Sequence, residues 1–351
     1  MGTTRALRLK LCGAPLMIIY DIVHPSHAHM FLALNDHIKP KGGALFVTRN
    51  KDHCSLLVEA KGHTYLEIGK PRRSLLGQAW ELAARTFFLL QLIRKERSKN
   101  ISNLAMFTRN PAGVIAARVA GIPCLYDTDN GLTAGIQYHL ARLLAKHISA
   151  PIKTPLGRTR AEIIFYNSLK IQTYVRPEDH QVPQGRSNMS EPRSLIRRVS
   201  MEATHDRGVR GLPDSVEATL ENVGFEFIRS SEGIAPVDHD KSTSRPQEFL
   251  QLLATASICV GDSGTVSAEA ALLGVPSLFI SDFARSLPYL NRLEAEGLIE
   301  QWSPDEYSDQ RLAHWARSVD HELHQVKLGE FLTRTEDPLP IFKAWYDRVC
   351  S

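Results

Sequence analysis

The chain has 351 residues, 43% of them hydrophobic and 23% charged, with a formal net charge of +4. That is about twice the length of one ordinary domain, so two cores are expected, and the composition excludes disorder and coiled coil. The small charge excess leaves no footprint of nucleic-acid binding, and Cys12, Cys54, Cys124, Cys259 and Cys350 form no C-x-x-C pair, so reduced thiols are expected in place of disulfides or a zinc site.

Residues 1–16 read as an extension ahead of the fold. Arg5, Arg8 and Lys10 precede an apolar run, but Pro15, Asp21 and His24 interrupt any signal-peptide core. No stretch reaches the roughly 18–20 apolar residues of a membrane span. From Met17 the pattern alternates. Short β-branched or apolar runs at 17–23, 44–48, 65–68, 104–108 and 124–127 suit buried strands. Between them, 30–38, 52–60, 79–97 and 111–120 carry helical periodicity, the last opened by Pro111 and the first stopped by Gly42-Gly43. The prolines, glycine and basic residues of 151–160 read as an interdomain linker. A second series follows, with strands at 194–200, 225–229, 258–261 and 277–280 and helices at 213–222, 246–256 and 265–273. Ile341, Trp345 and Val349 then mark a closing helix.

Alternation of this kind predicts an α/β fold of two Rossmann-like parallel-sheet domains facing across a cleft. The expected division is an N-terminal domain over 17–153, a C-terminal domain over 160–330, and a helix within 331–351 packing back towards the first. Ligands of open α/β sheets bind beyond the carboxyl ends of strands, so the loops there are the places to look.

Val260-Gly261-Asp262-Ser263-Gly264-Thr265 is a buried strand running into a glycine-containing turn that opens a helix. Such a terminus presents unpaired N–H groups and a positive dipole end to a phosphate. Ser263 and Thr265 add hydroxyls, Gly264 admits a close approach, and Glu269, one turn on, suits sugar hydroxyls. Plain helix capping by Ser263 or Thr265 explains the same residues.

His24-Pro25-Ser26-His27-Ala28-His29 follows the first strand. Its spacing matches no standard zinc pattern, so one histidine acting as base or phosphate donor is the sharper reading, and helix capping the plainer one. Tyr126-Asp127-Thr128-Asp129-Asn130-Gly131 places Asp127 and Asp129 after another strand, as a base or as ordinary turn chemistry. In the segment 202–208, His205 and Arg207 suit a diphosphate, with a solvated loop as the alternative. Helix 79–97 ends in Arg94, Lys95 and Arg97. A core-facing helix with a solvated basic end explains it, and weak peripheral membrane contact is the second reading.

The block at 21–29, the Gly261–Thr265 turn and the run 268–276 (Ala-Glu-Ala-Ala-Leu-Leu-Gly-Val-Pro) resemble a family of unknown function, DUF354. That family is similar to the GT-B superfamily of UDP-N-acetylglucosamine 2-epimerases and MurG-type glycosyltransferases. Residues 68–70, 74–77 and 204–206 resemble it as well. The resemblance implies a nucleotide-sugar held mainly by the C-terminal domain, with Ser263, Gly264 and Thr265, beside Asp262, at the diphosphate and Glu269 at the ribose. It places His27 near acceptor and phosphates, and His205 and Arg207 where the epimerases carry a His-Arg loop. The epimerases' proton-abstracting glutamate has no match here unless Asp127 or Asp129 substitutes. Their Arg-Pro-Glu run is replaced by residues 283–288 (Phe-Ala-Arg-Ser-Leu-Pro).

The expectation is therefore a metal-independent transferase with no cofactor, moving sugar from a nucleotide-sugar, a UDP-sugar, to a hydroxyl on a sugar or lipid-linked acceptor. His27, or else Asp129, would be the base. The superfamily implies surface polysaccharide or glycolipid synthesis in the cytoplasm or on the membrane's inner face. A 2-epimerase-like isomerase and a non-catalytic nucleotide-sugar-binding protein are the alternatives.

Overall fold

The computed structural model describes residues 15–50, 53–70, 72, 74–99, 101, 103–179, 192–199, 209–231 and 248–351. Most of the extension, and His205 and Arg207, therefore lie outside the described residues.

The first part alternates β1 (Met17–Asp21), α1 (Pro25–Ile38), β2 (Ala44–Thr48), α2 (Cys54–Ala60), β3 (Tyr65–Glu67), α3 (Leu75–Ser98) and β4 (Leu104–Thr108). It continues through α4 (Pro111–Ala120), β5 (Cys124–Asp127), α5 (Ile136–Leu144), β6 (His147–Pro151) and β7 (Glu162–Tyr166). All seven strands form one parallel sheet in the order β3-β2-β1-β4-β5-β6-β7. β1 sits between β2 and β4, so the strand order reverses there, the position at which open α/β sheets leave a crevice beyond their carboxyl ends. Its Ile18, Ile19 and Tyr20 are fully buried, as are Ala105 and Met106 of β4. Each large apolar side chain among them contributes about 1.5–3 kcal/mol relative to exposure.

Residues 151–160 are not a linker between domains. They join β6 to β7, which pair in parallel from His147↔Glu162 to Pro151↔Tyr166 within the one sheet. Pro151 is tolerated because it closes its strand. Gly157 adopts φ +64, and Gly131 (φ +53) lies where a Cβ would meet the Pro155 carbonyl oxygen at 2.4 Å.

The second part comprises β8 (Arg193–Arg198), α6 (Val216–Asn222), β9 (Glu226–Ser231), α7 (Phe249–Ala254), β10 (Ile258–Gly261) and α8 (Gly264–Leu272). It goes on through β11 (Ser277–Ile280), α9 (Pro288–Ala295), β12 (Ile299–Trp302), α10 (Asp309–Ser318) and α11 (His321–Arg334). Its five strands form a parallel sheet in the order β12-β11-β10-β8-β9. Ile196, Val260, Leu278 and Trp302, from four of these strands, share one core with Val216, Leu220 and Trp315.

The last helix, α12 (Leu339–Cys350), belongs to the first unit. Trp345 packs edge-on against Phe107 with ring centroids 4.9 Å apart, and the Tyr346 hydroxyl donates to the Leu16 carbonyl. Arg348 pairs with Glu162 of β7. The chain thus divides into one unit of residues up to Thr173 plus Asp337–Ser351 and a second of Tyr174–Glu336. Among the described residues no helix is long and apolar enough to cross a membrane, and none of Cys54, Cys124, Cys259 and Cys350 is in a disulfide.

Candidate functional site

In the second unit, β10 is buried throughout and ends at Gly261, where a Cβ would meet the Arg197 carbonyl oxygen at 2.7 Å. α8 begins three residues later at Gly264. Ser263 holds the N-cap position in extended conformation (φ −98°, ψ 107°), yet its own side chain makes no capping hydrogen bond. Asp262, Ser263, Gly264 and Thr265 are half-buried, whereas Val266–Leu272 are buried. The first turn of α8 therefore brings amides that the Ser263 side chain does not cap, together with two hydroxyls, to a partly accessible edge, which favours an anion.

The remaining residues of that turn are placed differently from expectation. A Cβ on Gly264 would meet the Tyr289 hydroxyl at 2.6 Å and Leu287 Cδ1 at 3.0 Å. The packing of α9 by itself therefore leaves no room for a larger residue at this position. Asp262 Oδ1 accepts from the Val199 amide (2.7 Å) and Oδ2 from the Leu212 amide (3.2 Å). Burial raises its pKa, with those hydrogen bonds working against the rise. Its carboxylate ties two chain segments together and is a positioning group. Glu269 is 4% exposed, and its Oε1 accepts from the Tyr174 hydroxyl at 2.7 Å.

Arg197 was not singled out by sequence. It pairs in register with Gly261, donates to Ser230 Oγ at 2.7 Å, and lies 5.8 Å over the Phe249 ring. It brings a cation to the edge where the Gly261–Thr265 turn begins. The available signal was an arginine pair closing the apolar strand Ser194–Ile196.

In the first unit the carboxyl edge of the sheet carries a buried charged network. One guanidinium, Arg109 just after β4, spans both carboxylates of the Asp-x-Asp loop, with Nη1 on Asp127 Oδ2 and Nη2 on Asp129 Oδ1. Asp127 Oδ1 also accepts from Ser149 Oγ (2.9 Å) and Tyr166 Oη (3.1 Å). Lys170 Nζ lies 3.5 Å from Asp129 Oδ2. Burial alone would lower the Arg109 pKa, but Asp129 and Asp127 outweigh it and keep the guanidinium charged. Asp129 is pushed up by burial yet held at about 2 by Arg109 and Lys170. Asp127, deeper among neutral hydroxyls, is raised by burial despite Arg109.

Neither aspartate has the environment of a general base. A base works best with a pKa near the operating pH and an accessible lone pair. Asp129 is far too acidic, and Asp127 is hydrogen-bonded through both oxygens. Arg109, Ser149, Tyr166 and Lys170 carry no local sequence signal, because each pairs across 18 to 41 residues of chain, beyond any local motif.

A second buried pair shapes the end of β1. Arg85 from α3 donates to Asp21 Oδ1 through Nε (2.8 Å) and Nη2 (2.6 Å), while Thr108 Oγ1 donates to Asp21 Oδ2 (2.7 Å). Arg85 also donates to the carbonyls of Ile22, Val47 and Ile68, gathering three strand ends. The histidine loop starts from this anchor. His24 is the N-cap of α1, its Nδ1 accepting from the Ser26 amide at 3.2 Å. His27 is half-buried, its ring 5.7 Å from that of His24 and 6.4 Å from Phe31.

No family model matches the sequence, and no curated protein matches it significantly. Solved structures do match in fold. The UDP-GlcNAc 2-epimerase of Neisseria meningitidis bound to UDP-GlcNAc aligns over 95% of this chain and 99% of its own, with 12% identity and a TM-score of 0.61. MurG of Acinetobacter baumannii aligns over 95% and 100%, with 14% identity and a TM-score of 0.57. The spinosyn forosaminyltransferase SpnP aligns over 97% and 100%, with 12% identity and a TM-score of 0.63. The chain therefore has the two-sheet GT-B fold of these structures.

Proposed function

We propose that the protein is a glycosyltransferase that moves a sugar from a UDP-sugar to a hydroxyl acceptor. The observation that carries this is the half-exposed start of α8, not capped by the Ser263 side chain, at the carboxyl edge of its sheet, in a fold shared with a 2-epimerase that binds UDP-GlcNAc. On this reading the second unit holds the donor. The amides of Gly264 and Thr265, with the Ser263 and Thr265 hydroxyls, receive the diphosphate, and Arg197 and Arg207 lend charge. Glu269, with Tyr174 beside it, takes the ribose, and His205 joins the phosphate contacts.

The first unit takes the acceptor. The acceptor oxygen bonds to the anomeric carbon, whose bond to the diphosphate oxygen breaks with the electron pair leaving on UDP. The released acceptor proton passes to His27. Transfer is favoured over 2-epimerisation because an epimerase needs an acid/base pair at the sugar carbon, and Asp127 and Asp129 are spent on Arg109. A lipid-linked acceptor is supported by α3, where Leu76, Trp80 and Phe87 are 85%, 65% and 60% exposed ahead of the basic end at Arg94, Lys95 and Arg97. That face suits peripheral contact with an anionic membrane.

Incubation with a panel of UDP-sugars tests the reading. UDP released only when a hydroxyl acceptor is present supports it. Isomerised sugar without acceptor means an epimerase, and tight UDP binding with neither product means a binding protein. In calorimetry, Ser263→Ala and Thr265→Ala should each weaken UDP about 2–10-fold, the worth of one hydrogen bond. Unchanged affinity in both would remove the phosphate turn from the account.

A further inference from the structure

The outer side of β7 carries an unfinished hydrogen-bond ladder. β7 closes one margin of the seven-stranded sheet, and among the described residues no strand lies beyond it. Its even-numbered residues bond to β6: the Glu162 amide donates to the Lys146 carbonyl at 2.8 Å, and the Tyr166 carbonyl accepts from the Ile152 amide at 2.9 Å. Backbone groups of successive residues point to opposite sides of a strand, so the N–H and C=O of Ile163 and Phe165 face outward. They line an apolar segment, Ile163-Ile164-Phe165, whose phenylalanine is 50% exposed. Edge strands are commonly shortened or charged against pairing. The opposite margin follows that pattern, since β3 is three residues long and ends on Glu67. β7 does not: its one charged residue, Glu162, is engaged by Arg348 of α12.

The spacing of the outward groups selects their partner. About a two-fold axis at Ile164, antiparallel β7 strands of two copies set Ile163 opposite Phe165 of the second copy, and such a pair exchanges both of its N–H···O=C bonds. Every outward group of both strands is then satisfied. An axis at Ile163 would call on the Ala161 amide, which already donates to Thr159 Oγ1 at 3.1 Å, and one at Phe165 would need pairing beyond the end of the strand. The side chains fit the same register. Ile163 packs with Tyr138 and Ala141 of α5, so it and Phe165 lie on the face that α5 covers, and a β-branched residue meets an aromatic one across the axis. Glu162 falls opposite Tyr166 of the second copy, not opposite its own kind. α5 also leaves Leu143 and Leu144 exposed, apolar surface that enlarges a contact which a five-residue ladder alone would keep small.

We propose that β7 is a homodimerisation edge, at which two copies of the chain join by antiparallel β7–β7 pairing centred on Ile164 into one continuous sheet. The pairing uses up the edge, so the assembly closes at two copies. It is independent of the transferase reading.

Sedimentation velocity of the full chain across the micromolar range tests it. The expected species is a dimer whose Kd rises roughly 5–100-fold in Phe165→Pro, because each copy loses one outward N–H and its hydrogen bond. Proline suits this position because the lost N–H plays no part in the ladder to β6. Should Phe165→Pro fail to fold, Phe165→Lys keeps the backbone groups and sets a charge against Ile163 of the second copy, with a loss at least as large. Leu66→Lys, on the opposite margin at β3, should leave the dimer intact. Amide hydrogen exchange supplies a second readout: protection at Ile163 and Phe165 should rise with protein concentration. A wild-type chain that stays monomeric, a dimer unchanged by both substitutions at Phe165, dissociation by Leu66→Lys, or exchange at Ile163 and Phe165 that ignores concentration would each overturn the proposal.

Discussion

Replacing Arg109 by methionine isolates the buried network in the first unit. The change keeps most of the side chain's volume and removes one cation from between two carboxylates, each at most 7% exposed at its side chain. Breaking a buried ion pair by deleting one partner costs about 3–5 kcal/mol, because a charge is left without compensation. For a unit of this size about 2–4 °C of Tm accompanies each kcal/mol, so a fall of roughly 6–20 °C is expected. The pH dependence has a definite sign. Asp129 titrates at about 2 in the folded protein, below its ordinary value, so its pairing stabilises the fold at neutral pH and is lost as pH falls from about 4 towards 2. Asp127 is raised by burial, and without Arg109 it rises further, so acidification relieves the variant more than the wild type. The gap between the two proteins should therefore narrow on acidification. Thermal unfolding followed at neutral pH and near pH 3 measures both effects. A loss under about 1 kcal/mol at neutral pH, or a gap that widens in acid, would refute the account of Arg109 as the counter-ion of both aspartates.

Other outcomes follow from single contacts. Gly264→Ala should destabilise the second unit by about 1–3 kcal/mol, because the new methyl meets the Tyr289 hydroxyl, and Tyr289→Phe in the same chain should recover part of that loss in urea melts. Tyr174→Phe leaves Glu269 Oε1 without its hydroxyl donor and should cost about 1–3 kcal/mol by the same measurement. Gly113→Ala should be severe, since a Cβ there lies 2.6 Å from Thr108 Oγ1 and 2.8 Å from Asp21 Oδ2, and early loss of amide protection at the ends of β1 and β4 would report it.

Strands β2, β4, β5, β10 and β11 and helix α4 were legible to the residue, because short, mostly buried apolar runs are bounded by proline, glycine or polar caps such as Asn110, whose Oδ1 accepts from the Ala112 amide. β6 and β7 were not. β6 holds His147, Ser149 and a proline, and β7 is an edge strand with Phe165 half out in solvent, so neither carries a clean apolar period. Prolines and basic residues between them imitate a linker. The phosphate turn was legible because its signal is local: a buried strand, a small-residue turn and a helix start. The roles of Asp127 and Asp129 were not, because what decides them is Arg109, and an arginine following one strand declares its partners after the next only when the sheet brings the two ends together.

The return of α12 to the first unit makes the second an insertion in the chain. On the ribosome, residues 174–336 have all the segments of their own sheet before the first sheet receives the tryptophan that packs on Phe107. The earlier-made half therefore finishes later, and until Leu339–Cys350 emerges its apolar flank at Phe107 stays uncovered.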